Sequence, residues 1–134
     1  VDASVLWIEA GAMSGGSRNQ VEFAHDLAEF FGPAVKSQQI VTVQSPQKTF
    51  DGCTFSPKTT TFGVDIWRLS LPTTAKSGLV YADNVIRFEK TKSPTFFRVR
   101  VAAPGSQQVS EWEAASTAGG QIGTTSGGRR FGVS

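Results

Sequence analysis

Apolar residues recur at every second position through much of this chain, the pattern of strands with one buried face. "SVLWIEA" (4–10) is an apolar, β-rich run that breaks into a Gly/Ser loop. "QVEFAHDLAEFFG" (20–32) opens with Val21 and Phe23 at strand spacing. Its later half sets Leu27, Phe30 and Phe31 at helical spacing, with Asp26 near the start and Gly32-Pro33 as the stop. The pattern predicts a short strand passing into a short helix. "QIVTVQS" (39–45) alternates up to a Ser-Pro turn, and "KTFDGCTFS" (48–56) follows it.

"PKTTTFG" (57–63) has no hydrophobic pattern and reads as a polar loop. "VDIWRLSL" (64–71) alternates again, and "PTTAKSG" (72–78) reads as a turn or a single helical turn. "NVIRFEKT" (84–91) and "FFRVRVA" (96–102), joined across "KSP", form the clearest hairpin. Its period places Arg87, Glu89, Arg98 and Arg100 on the face opposite the Val/Ile/Phe set, a solvated outer face. "SQQVSEWEAAS" (106–116) predicts a short helix capped by Ser106 or Ser110, and the Gly-rich tail ends in a strand-like trace. Phe30, Phe31, Phe55, Phe88, Phe97 and Trp67 are the expected core, with Trp7 anchoring the first strand. About seven short strands with one or two small helices predict one mainly β domain over residues 1–134, a compact barrel or pseudobarrel.

Composition narrows the function classes. Apolar residues make up 39% of the 134, enough for a real core. No apolar run approaches the roughly 18–20 residues of a membrane span, so no membrane partner is expected. No basic-then-apolar leader is visible, and cytoplasm is the expected location. The single Cys53 excludes an internal disulfide and reads as a buried thiol. The net charge of +2 is a weak nucleic-acid signal, but its distribution is uneven. Between Lys36 and Arg100 ten Lys or Arg face four Asp or Glu, a basic middle that suits phosphate contact and a solvated sheet face equally.

Enzyme chemistry finds little support. One histidine, His25, and one cysteine do not make the ligand set of a zinc site, and Cys53 sits mid-strand without an activating neighbour. The "SGG" triplets at 14–16 and 126–128 lack phosphate-loop spacing. Glu111 and Glu113 flank Trp112 on a predicted helix and read as solvated surface. No catalytic residue, metal or cofactor is expected in this chain.

The order of features carries more information than any single motif. "RNQVEFAHDLAEFFGP" is a polar loop leading into a strand and a helix stop; "LVYADNVIRFEK" is an acidic turn before an apolar strand; "SGGRRFGVS" is a basic ending. Together they resemble the DNA-binding domain of the plant B3 transcription factors. They resemble more closely the C-terminal recognition domain of the BfiI-like, phospholipase-D-type restriction endonucleases, with its "GKRFG"-type ending. The likeness runs from about Val5 to Val133.

The resemblance implies a seven-stranded open pseudobarrel that grips the DNA major groove with two arms. It implies sequence-specific recognition of double-stranded DNA as the DNA-binding domain of a type II restriction endonuclease. Carried over by position, the first arm is Ser14–Glu22, with Ser14, Gly15, Gly16, Ser17, Arg18, Asn19, Gln20 and Glu22 as contacts. The second is Ser56–Val64, with Lys58, Thr59, Thr60 and Thr61, and the basic ending adds Arg129 and Arg130. Lys36, just past the helix stop, is a candidate backbone contact.

The residue types suit the task. Arginine bonds guanine O6 and N7 in two-pronged fashion, Asn and Gln do the same for adenine, and Glu accepts from cytosine N4. Glycines and serines let the main chain approach phosphate, and Lys58 supplies charge. The chain has no His-x-Lys phosphodiesterase motif, so any cleavage is expected from a further segment, such as a catalytic nuclease domain of a parent protein, or from a partner. A free-standing reader is the alternative. The competing class is a β-barrel or sandwich binding module for carbohydrate or protein, favoured by low net charge and abundant Ser, Thr and aromatic residues.

Overall fold

The computed structural model describes residues 4–10, 20–23, 29–31, 39–45, 48–59, 65–72, 80–81, 83–92, 95–124 and 129–134. Nine strands form one sheet: β1 (Val5–Glu9), β2 (Gln20–Phe23), β3 (Gln39–Gln44), β4 (Thr49–Thr59), β5 (Asp65–Ser70), β6 (Val85–Lys90), β7 (Phe96–Ala102), β8 (Gln121–Thr124) and β9 (Arg130–Val133). Their order is β2-β5-β4-β3-β7-β6-β1-β9-β8. Every pairing is antiparallel except β3 with β7. One α-helix, α1 (Gln107–Gly119), and a 3-10 turn, Glu29–Phe31, complete the described elements. The protein is thus mainly β, as its alternation predicts. Among the described residues no helix is long and apolar enough to cross a membrane.

The sheet is strongly curved. Phe23 on β2 and Phe88 on β6 have four strands between them in sheet order. In a flat sheet that separation is about 24 Å, yet their ring centroids lie 6.0 Å apart. Phe31 fills the concavity, with its ring 5.0–5.2 Å from those of Phe23, Phe30, Phe55, Phe88 and Phe97. The inner core draws on β1 through β7: Leu6, Ile8, Val21, Val41, Val43, Leu69, Ile86 and Val99 join the phenylalanines. Of the expected core residues, only Trp67 is half-buried, packed against this cluster from its edge.

Period-two alternation sends Trp7, Val85 and Ala102 to the other face, where α1 covers them with Val109 and Trp112. Trp7 therefore anchors β1 to the helix rather than to the main core. Its indole Nε1–H donates to Ser116 Oγ at 2.9 Å, and Ser116 is fully buried. Ser106 is the helix N-cap, its hydroxyl accepting from the Val109 N–H. Gly105, at φ 79°, makes the tight turn before it.

Two departures from the sequence reading have simple causes. The Gly-rich tail is a β-hairpin, β8–β9, rather than a single strand trace, because β9 finds a partner in β1. "PKT" (57–59) is strand rather than loop, because Lys58 and Thr59 pair with Ile66 and Asp65. The helix predicted through 24–28, the turn at 73–78, His25 and the 126–128 triplet lie outside the described residues.

Candidate nucleic-acid interface

β5 organises the predicted arms. On one side it pairs with β2, which the first arm enters; on the other it pairs with β4, which the second arm leaves. In β2, Gln20 and Glu22 alternate with the buried Val21 and Phe23. Glu22 stands opposite Arg68, and Arg68 stands opposite Ser56, so the three share one row across the sheet. Gln20 stands opposite Ser70, and Lys58 opposite Ile66. The Gln20 and Lys58 rows are therefore four residues apart along β5, about 13 Å. The arms meet β5 at opposite ends of this ledge, not side by side.

Sequence reasoning missed Arg68. In "VDIWRLSL" it alternates with Trp67 and Leu69, which face the core, and that periodicity marked it as an outer residue between the two arms. The structure gives Arg68 partial exposure. Of the remaining predicted contacts, Ser14, Gly15, Gly16, Ser17, Arg18, Asn19, Lys36, Thr60 and Thr61 lie outside the described residues.

The basic ending is differently built from the glycine-flanked turn that its sequence suggests. Arg130 opens β9, and its backbone N–H donates to Glu9 Oε1 at 2.8 Å. Its guanidinium pairs with Glu113 of α1 at 3.1 Å and lies 5.8 Å from the Trp7 ring centroid. Glu113 is thus an ion-pair partner and not free solvated surface. Arg130 keeps 44% side-chain exposure, so one edge of the guanidinium still faces solvent. Arg129 precedes it with partial exposure. Both sit at the end of β1 from which the first arm departs, where the Ala10 N–H bonds the Asn84 carbonyl at 2.9 Å.

The acidic turn before β6 is a compact unit. Asp83 takes a left-handed φ of 61°, and the Asn84 side chain donates to the Val80 carbonyl at 2.7 Å. Tyr81 is buried and its hydroxyl donates to the Pro72 carbonyl. This turn serves the fold, holding β6 beside β1.

Cys53 is buried, its thiol directed at the Phe50 carbonyl at 3.9 Å. Burial, and secondarily the Asp51 charge, push its pKa above 9.0, which leaves an unreactive thiol. Among the described residues no three His, Cys, Asp or Glu side chains converge as a metal-ligand set would. Comparison with models of known protein families and with characterised proteins finds no match.

Proposed function

We propose that this chain is a sequence-specific reader of double-stranded DNA, built as a B3-like open pseudobarrel. It serves as the recognition domain of a type II restriction endonuclease whose catalytic nuclease domain lies elsewhere in the parent protein. One observation carries the reading: a single strand, β5, ties together the strand that the first arm enters and the strand that the second arm leaves. The ledge between Gln20 and Lys58 is about 13 Å long, and the major groove is about 12 Å wide. An arm at each end of such a ledge grips the two walls of one groove.

Roles follow from chemistry. Arg18, Asn19, Gln20 and Glu22 read base edges, and Thr59, Thr60 and Thr61 add hydroxyls for phosphate and methyl groups for thymine. Ser14, Gly15, Gly16 and Ser17 bring main-chain amides to phosphate, which Lys36, Lys58, Arg129 and Arg130 neutralise. Arg68 at the middle of the ledge joins the set. The curved sheet supports the pseudobarrel, since ring contact between β2 and β6 needs near-closure.

The test is selection of bound duplexes from a random pool, followed by salt titration of the winner. A defined consensus is expected, with affinity falling linearly in log–log salt. Recovery of no consensus, or binding that ignores salt, overturns the proposal.

A further inference from the structure

We propose that a recess on the outer face of the sheet, between the end of β3 and the middle of β7, is a second, sequence-independent site that holds the phosphates of a nucleic acid strand. The recess has a volume of about 260 Å³ and is lined by Gln44, Ser45, Arg98, Val99 and Arg100. In sheet order β4 separates it from β5, and none of its lining residues belongs to either proposed arm. The proposal takes only the identity of the polyanion from the DNA reading.

Charge on this face is out of balance. Arg87 and Arg100 stand directly opposite one another on β6 and β7, and like charges so placed destabilise a sheet. One carboxylate, Glu89, serves the group, lying 3.5 Å from Arg87 and 3.5 Å from Arg98. At those distances the pairs are loose. Arg100 is exposed and has no ion pair among the described residues. Three guanidiniums against one carboxylate leave a local excess of two positive charges beside a polar cavity. Cross-strand repulsion of this kind is relieved when an anion enters.

Geometry favours a strand over a small anion. Arg98 and Arg100 alternate along β7 on one face, about 7 Å apart at the backbone, the repeat at which successive phosphates follow along a nucleic acid strand. Arg98 has 58% side-chain exposure, so the recess opens on the surface and does not enclose a ligand. Gln44, opposite Arg98 in the parallel β3–β7 pair, adds a carboxamide that donates to phosphate as well as it accepts. Ser45 is occupied by its turn: its hydroxyl bonds the Lys48 main chain at 3.1–3.2 Å.

Binding of an arbitrary-sequence duplex to the intact chain, followed over a range of salt, tests this. The double variant Arg98→Gln/Arg100→Gln is expected to make the log–log salt slope shallower by about 1–2, with any ratio between preferred and arbitrary duplex unchanged. Glu89→Gln, which removes the competing carboxylate, is expected to tighten arbitrary-duplex binding several-fold. Arg98 and Arg100 are exposed and Glu89 is half-buried, and unchanged thermal unfolding of each variant verifies the fold.

An unchanged slope in the double variant overturns the second site; if Arg18→Ala still alters base preference, the arm reading survives alone. A wild type without base preference whose slope falls in the double variant leaves the recess standing and removes the arm reading. Guanidinium resonances of Arg98 and Arg100 that move with inorganic phosphate but not with duplex mark a free-anion site and overturn the proposal. Absence of any duplex binding overturns both.

Discussion

Gly132 shows how one residue sets a close approach. It sits in β9 directly over Trp7, and a Cβ there would collide with the indole ring. Gly132→Ala is expected to destabilise the fold by about 1–3 kcal/mol, the usual cost of overpacking, measured by denaturant unfolding. The same ring carries the Ser116 hydrogen bond and the Arg130 contact, so near-UV circular dichroism of the tryptophans should change with it. Cys53 gives a second residue-scale test. Its folded pKa lies above the ordinary value of 9.0, so the unfolded thiol ionises first as pH rises. Its contribution to stability is complete below the unfolded pKa and declines above it. Cys53→Ala should abolish that part of the alkaline slope, and the native thiol should react with thiol reagents far more slowly than in denaturant. Arg130 is the instructive case for reading sequence: two adjacent arginines among glycines looked like a bare phosphate contact. Glu113, placed against it by α1, is 17 positions away in sequence and leaves no local trace.

Alternation specified the strands well because each has one face on the core: β1, β3, β6 and β7 fall where the period-two runs lie. It failed at "PKT", where polar residues and a proline hide a strand held only by pairing with β5. The β8–β9 hairpin was hidden for a related reason. β8 carries no fully buried side chain, so nothing in its pattern announces a strand. Asp51 and Gly52 show a further limit. They stand together opposite Thr42 where the β3–β4 register shifts, with Gly52 at φ 79° and Asp51 accepting from the Thr42 hydroxyl at 3.1 Å. This bulge bends β4 and adds to the curvature of the sheet. The helix was legible, and of the two caps its sequence offers the structure uses Ser106: Ser106→Ala should cost about 1 kcal/mol by thermal unfolding, and Ser110→Ala much less.

Across the whole molecule, curvature gathers six buried phenylalanines into the inner core, with Phe50 and Phe131 packed against it, while α1 covers part of the opposite face. Phe31→Ala, removing the ring that five others contact, should cost about 3–5 kcal/mol. That value tests whether the aromatic cluster holds the curved sheet shut. Sheet order was not legible in the sequence, because the β3–β7 parallel pairing joins segments more than fifty residues apart. The proposed arms show in the sequence only as interruptions of a pattern, and Arg68 only as one outward position among many.

The most direct measurement takes a duplex selected by the wild-type protein and every single-base substitution of it. Binding of each to wild type and to Arg18→Ala is then compared. Two-arm recognition predicts that Arg18→Ala weakens binding of the selected duplex by roughly 1–3 kcal/mol and flattens discrimination at one base position alone. An identical discrimination profile for the two proteins would contradict it.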